Sequence, residues 1–382
     1  MLVPFVRASL ALPDNNTSNQ IWHALDGIVA SGHPEREQLL EEVFAGPVAG
    51  GLRQGVALQH LSALQGETGL WRLKEALADP QLRQFAAKGI TKIARGREDP
   101  ALADALAAAA REESRDWVLT TIVDALVAMG AAGAGLLAEL GGQLGPYDVM
   151  RLSWLTEGIT PRAAAERLVA AGAAPPPSDA RLQEVERQWH ADRDAGRVVI
   201  SLLDKAGRMA WFDTEAGRVT PDYLHLMTHF LVIGRGIFEA DTFSQSVDQA
   251  SGASQVRFRY AGKEHTFTAQ DMGDWYDVPS VLAGLNRALA SVGRPERFIP
   301  VNTGDQTTAV TLVPETPFRQ LAQELRLPLE EDAGAGSRRG LGYEAHVRQV
   351  VAQDAQRGRR GQRPGVGLRL RNWLLSRRGK PH

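Results

Sequence analysis

Val56-Ala-Leu-Gln-His-Leu-Ser-Ala-Leu-Gln-Gly66, Phe85-Ala-Ala-Lys-Gly-Ile-Thr-Lys-Ile-Ala-Arg-Gly96 and Val118-Leu-Thr-Thr-Ile-Val-Asp-Ala-Leu-Val-Ala-Met-Gly130 are three versions of one pattern. Val56, Ala57, Leu61 and Leu64 recur 29 positions later as Phe85, Ala86, Ile90 and Ile93. These recur after 33 more as Val118, Leu119, Val123 and Leu126. Spacings of three and four place each set on one helical face. A second series runs alongside: Leu73 and Leu77, then Leu102 and Leu106 at an offset of 29, then Leu136 and Leu140 at 34. A period near thirty that carries two apolar series reads as a repeated pair of helices.

Punctuation supports the pairing. Gly66, Gly96 and Gly130 close the first helix of each pair, where a residue tolerant of positive φ is useful. Asp79-Pro80 and Asp99-Pro100 offer an N-cap followed by proline at the first helical position. One pair cannot bury its own apolar stripe, so several must stack.

On these residues the segment from Ile21 to Gly172 resembles HEAT-like repeats in their short bacterial form. The resemblance implies an α-solenoid over residues 17–173 and a protein-binding scaffold or adaptor, immunity-like in role, with no catalytic activity of its own. Without the resemblance, the same residues fit an irregular helical bundle. Residues 1–16, interrupted by Arg7, read as an N-terminal tether or a first packed segment. Residues 174–179 carry three consecutive prolines, which cannot continue a helix and mark a linker.

Beyond the prolines the pattern changes, and an α+β domain is expected over 180–330. A helix covers 180–192. Val198 to Leu203 and Met209 to Phe212 suit a hairpin around Lys205-Ala-Gly207, and 198–206 reads equally as a helix. Pro221 to Val232 is helical, with Tyr223, Leu224, Met227, Phe230 and Leu231 facing inward. Gln255 to Tyr260 alternates strictly, turns at Ala261-Gly262-Lys263 and returns through Glu264 to Thr268. A helix from Pro279 to Val292, a hairpin from Arg297 to Leu312 and a helix from Pro317 to Leu325 complete it. The expected product is one antiparallel sheet with helices on one face, and α+β for the chain overall.

Three clusters are candidate sites. Asp271, Asp274, Trp275 and Tyr276 combine acids with aromatics between a strand and a helix, a place where partner-binding loops sit. Asp277 follows as cap of the next helix, and Trp275 reads alternatively as a plug at the core edge. Trp211-Phe-Asp-Thr-Glu-Ala-Gly217 resembles the first metal-binding motif of DEDD-type exonucleases, but no matching downstream acids appear. Asp213 and Glu215, joined by His225 and His229 four apart on one helix, form the metal alternative, a metal-dependent hydrolase or nuclease. Position 226 is Leu, so the Glu of zinc-protease helices is missing. Solvated acids and the wet side of an amphipathic helix account for the same residues.

The third cluster is electrostatic. The chain of 382 residues has a formal charge of −2, yet residues 337–382 hold 11 Arg and one Lys against two acids. That is +10, leaving −12 on residues 1–336. Residues 331–342 read as a Gly/Ala/Ser-rich linker and 343–356 as a polar helix. Arg357, Arg359, Arg360, Arg363, Arg369, Arg371 and Trp373 then offer contacts to an acidic partner, to nucleic acid through phosphates, or to an anionic membrane.

Composition narrows the classes further. The absence of cysteine excludes disulfides, iron–sulfur clusters, thiolate zinc sites and cysteine nucleophiles, and fits a cytoplasmic setting. No apolar run is long enough to span a bilayer. Nothing implies a cofactor: there is no phosphate-binding glycine loop with lysine and no serine in a nucleophile elbow.

Overall fold

The computed structural model describes residues 2–10, 18–46, 51–217, 220–303 and 306–359. They form an α+β protein with a helical first part and two small antiparallel sheets in the second. By internal contacts the chain divides into two compact units. The first runs to Ala163 and takes in Leu182–Val198 and Leu325–Leu327. The second comprises Ala164–Arg181, Val199–Glu324 and the chain from Pro328 on. The proline segment 174–179 therefore falls inside the second unit, and most of the helix after it returns to the first.

The helical part is α1 (Leu2–Leu10), α2 (Ser18–Ala30), α3 (Arg36–Phe44), α4 (Gly51–Gln65), α5 (Glu67–Ala76) and α6 (Arg83–Ile93). It continues with α7 (Pro100–Glu112), α8 (Asp116–Ala128), α9 (Ala131–Glu139), α10 (Pro146–Glu157) and α11 (Pro161–Ala170). Helix α4 packs on α6 and α6 on α8, while α4, α5, α7 and α8 each also touch the helix that follows; α7 packs on α9. The repeated apolar positions supply these contacts. Val56, Ala57, Leu61, Ala86, Ile90, Val118, Leu119, Val123 and Leu126 are all buried, as are Leu73, Leu77, Leu102, Leu106 and Leu140. Leu64 departs from the pattern and is 36% exposed near the end of α4.

Local chemistry accounts for the helix ends. Asp99 caps α7 by accepting from the Leu102 amide at 3.0 Å, with Pro100 in the first turn. Asp79 behaves differently. Its carboxylate accepts from the Gln81 amide at 2.8 Å, closing an Asx turn ahead of α6, which starts only at Arg83. The N-terminal tether is a packed helix: Val3 and Val6 of α1 are buried, and Arg7 bonds Glu35 and Glu42.

Next come α12 (Asp179–Asp192) and α13 (Ala195–Lys205). The second replaces the first arm of the expected hairpin. Val198, Val199, Leu202 and Leu203 are buried at spacings of one, three and four, which a helix satisfies and an alternating strand does not. The rest is β1 (Met209–Asp213), α14 (Tyr223–Gly234), β2 (Ala240–Val247), β3 (Ser254–Tyr260), β4 (Lys263–Ala269) and α15 (Val278–Ser291). Then follow β5 (Glu296–Val301), β6 (Thr307–Pro314), α16 (Glu315–Leu325) and α17 (Ala335–Arg359).

The strands build two antiparallel sheets, β1-β6-β5 and β2-β3-β4, where the sequence led us to expect one. Strand β2 is the unanticipated member. It is a mostly polar edge with a register break between Asp241 and Ser244 and a positive φ at Thr242, so no apolar alternation announces it. Helix α14 packs on β1 and β2, and α15 on β4 and β5, so one core is shared by both sheets. The β3–β4 hairpin turns at Ala261 and Gly262, both with positive φ, as a tight two-residue turn requires.

The linker expected at 331–342 is, from Ala335 on, the first turns of α17. Its glycines serve close packing. A Cβ on Gly340 would sit 1.9 Å from the Trp275 ring, and one on Gly336 would press on Thr307 and Thr308. Ser337, fully buried, donates to the Tyr276 carbonyl at 3.1 Å. Small residues let the helix pass over a large aromatic side chain.

Candidate functional site

A recess in the first unit encloses about 400 Å³. The ends of α6, α8 and α10 and the chain just past α12 form its walls. Arg95, Arg151, His190 and Arg193 line it, against one carboxylate, Asp124. Val127 and Leu155 add apolar wall.

The arginines are placed by the end of α12. A helix leaves its last carbonyls without intrahelical donors and carries partial negative charge there. Arg95 donates to the Ala191 carbonyl, and Arg151 Nε donates to the Arg193 carbonyl at 3.2 Å. Arg151, its side chain 8% exposed, also donates to Asp124 at 2.5 Å and to Asp148 at 3.5 Å. Burial pushes Asp148 up to about 6; Arg151 pulls it down, and Asp124 and Asp194 push it further up. Tyr147, the preceding residue, is also raised, by burial first and then by the charge of Asp194.

Arg193 follows the last residue of α12 with a φ of +54°, a conformation L residues seldom adopt. Its guanidinium carbon lies 5.4 Å from the centre of the Trp189 ring, and Trp189 packs against Trp154 at 5.5 Å. Trp154 Nε1 donates to the Leu325 carbonyl at 3.0 Å, so the platform under Arg193 is itself fixed. A buried carboxylate with a raised pKa beside a recess lined by three arginines makes this the candidate site.

The structure disperses the clusters singled out in the sequence. Trp275 and Tyr276 are 1% and 6% exposed, so they belong to the core and present no surface to a partner. Asp271 lines a smaller recess of about 280 Å³ with Tyr223, Asp248 and Gln270. Asp274 meets Glu215 and Glu344 instead: their ligand oxygens lie within 4.8 Å of one another, and among the described residues this is the one group of three able to hold a metal. Glu344 already accepts from Arg348 at 3.2 Å. Asp277 does cap α15, accepting from the Ser280 amide at 3.2 Å and from the Gln270 amide at 2.8 Å.

Asp213, Glu215, His225 and His229 do not join in one ligand group. Phe212 packs on His229 and Phe230 of α14, at 6.0 and 5.7 Å. Strand alternation therefore sends Asp213 to the opposite face, where it accepts from Gln306 at 3.3 Å and from the Glu215 amide at 3.0 Å. His225 and His229 stay together, ring centres 5.6 Å apart. Burial first, and then the neighbouring His225, lower the pKa of His229. Of the tail residues, Arg357 and Arg359 lie on the last turns of α17, their side chains outside the described ones. Arg360, Arg363, Arg369, Arg371 and Trp373 lie outside the described residues altogether.

Sequence reasoning missed Arg95, Asp124, Asp148, Arg151, His190 and Arg193. Asp124, Asp148, Arg151 and His190 lie on three helices, with Arg95 and Arg193 just past the ends of α6 and α12, and they follow no motif; the one local trace is Asp148 and Arg151, three apart, on a helix whose Met150 and Trp154 are fully buried.

The fold and recess thus define an α+β protein with a cationic cleft in its helical unit. No protein-family model, no curated protein and no solved structure matches the chain.

Proposed function

We propose that the chain is a protein-binding scaffold or adaptor, and that its helical unit is a HEAT-like array. The nearest-neighbour packing of α4 on α6 and α6 on α8, with α5, α7 and α9 as their companions, supports the repeat reading. The binding reading rests on one observation. Trp22, Trp71 and Trp117 of this unit are 40%, 59% and 56% exposed, while Trp154 and Trp189 are buried. Tryptophan left in water forgoes a large burial energy, and it is among the side chains that most often anchor a partner. A hydrolase reading finds less support, since Asp213 faces away from the histidines.

The test uses the full chain immobilised in native lysate beside a W22A/W71A/W117A variant. The expected result is one stoichiometric protein retained by the native chain and lost by the variant, both folded by circular dichroism. No stoichiometric partner, or equal retention by the variant, overturns the reading.

A further inference from the structure

We propose that the cleft between the ends of α6, α8, α10 and α12 binds a small organic phosphomonoester, with Arg95 and Arg193 gripping the phosphate. The inference goes beyond protein binding and does not depend on it.

Charge comes first. Residues 1–336 carry a net −12, yet the charged side chains of this recess are Arg95, Arg151 and Arg193 against Asp124, with His190 at the rim. With Arg151 held by Asp124 and Asp148, the guanidinium groups of Arg95 and Arg193 remain to meet a phosphomonoester, which carries about −2 near neutral pH. Guanidinium is also the side chain best suited to hold phosphate oxygens in pairs.

Donor supply comes second. Arg151 is committed to Asp124, Asp148 and the Arg193 carbonyl, and serves as the floor. Arg95 spends one N–H on the Ala191 carbonyl. The Arg193 amide closes α12 on the Trp189 carbonyl at 2.9 Å, and its guanidinium lies over the Trp189 ring. Arg193 and Arg95 line the recess, and each guanidinium carries five N–H donors with which to hold a phosphate. The positive φ at Arg193 is that of a left-handed helix cap, with the chain turning out of α12 beside the recess.

Size and wall chemistry come third. About 400 Å³ exceeds what a single carboxylate side chain fills and falls in the range of small-molecule sites. Val127, Ala128 and Leu155 give an apolar wall for the organic body of the ligand.

The experiment is calorimetric titration of the purified full chain at low ionic strength with adenosine monophosphate, phenyl phosphate, inorganic phosphate and uncharged adenosine. At least one of the two phosphomonoesters is expected to bind, more tightly than inorganic phosphate, with adenosine silent. R193Q and R95Q are each expected to weaken binding at least tenfold. R193K, which keeps the charge but loses the paired donors, is expected to weaken binding less than R193Q, and K88Q, an exposed cation outside the recess, leaves it unchanged. Each variant is checked for an unchanged melting temperature. The proposal is overturned if neither phosphomonoester binds, if adenosine binds as well as its phosphate, or if R95Q/R193Q binds like the native chain. A failed partner capture with phosphomonoester binding intact would sink the scaffold reading alone.

Discussion

Replacing Asp148 by asparagine tests the electrostatics of the cleft. The Asp148 side chain is 7% exposed, and its pKa stands at about 6 against an ordinary 3.8. That displacement corresponds to about 3 kcal/mol, at about 1.4 kcal/mol per pH unit, as an order of magnitude. Because the folded-state value is raised, the folded chain holds the proton more tightly than the unfolded one. Its contribution to stability is complete below the unfolded value near 3.8 and is lost as pH rises through 6. Above that the fold bears a buried carboxylate. An asparagine in its place cannot ionise, so D148N lacks this dependence. It weakens the 3.5 Å contact to Arg151, which keeps Asp124 at 2.5 Å. Urea unfolding of both proteins by circular dichroism, from pH 3.5 to 8, gives the difference directly. D148N is expected to gain on the native protein by about 2–3 kcal/mol between pH 4 and pH 7.5. A difference that stays flat with pH, or that moves against D148N as pH rises, would refute the reasoning by showing Asp148 to be a well-solvated partner of Arg151.

Three further outcomes are expected. G340A drives a Cβ into the Trp275 ring and should cost about 1–3 kcal/mol in urea unfolding and speed proteolysis within α17, whereas G342A, with nothing within 4 Å, should not. D277A removes the cap of α15 and the bond to Gln270 and should cost about 1–3 kcal/mol, with D277N recovering part of it; equal loss in both would assign the effect to charge. His229 should titrate below an ordinary histidine by proton NMR, and H225Q should raise it only in part, because burial is the larger cause. Its depressed value means that its contribution to stability is present above the ordinary histidine range and falls away as pH drops through the folded-state value.

Much of the fold was legible because the forces behind it act over a few residues. Helical spacing alone put Val118, Leu119, Val123 and Leu126 in the core, and the same held for Val281, Leu282, Leu285 and Leu289 of α15. Asp99, Asp277 and the Ala261-Gly262 turn were readable since a cap or tight turn closes within four residues. A run of apolar residues this short could not separate helix from strand at Val198 to Leu203; the burial of adjacent and four-apart positions on α13 decided it.

What only the tertiary structure decided involves partners far apart in the chain. Strand β1 pairs with β6, nearly a hundred residues away, and that pairing splits the strands into two sheets. Glycines 336 and 340 look like a flexible linker until Trp275, Thr307 and Thr308 are placed against them. The cleft is the clearest case. Arg95, Asp124, Arg151 and Arg193 sit on separate elements, and each alone is an ordinary charged residue. They become a site because the open end of α12 needs donors and the helices around it supply arginines, a convergence in space that no local pattern encodes.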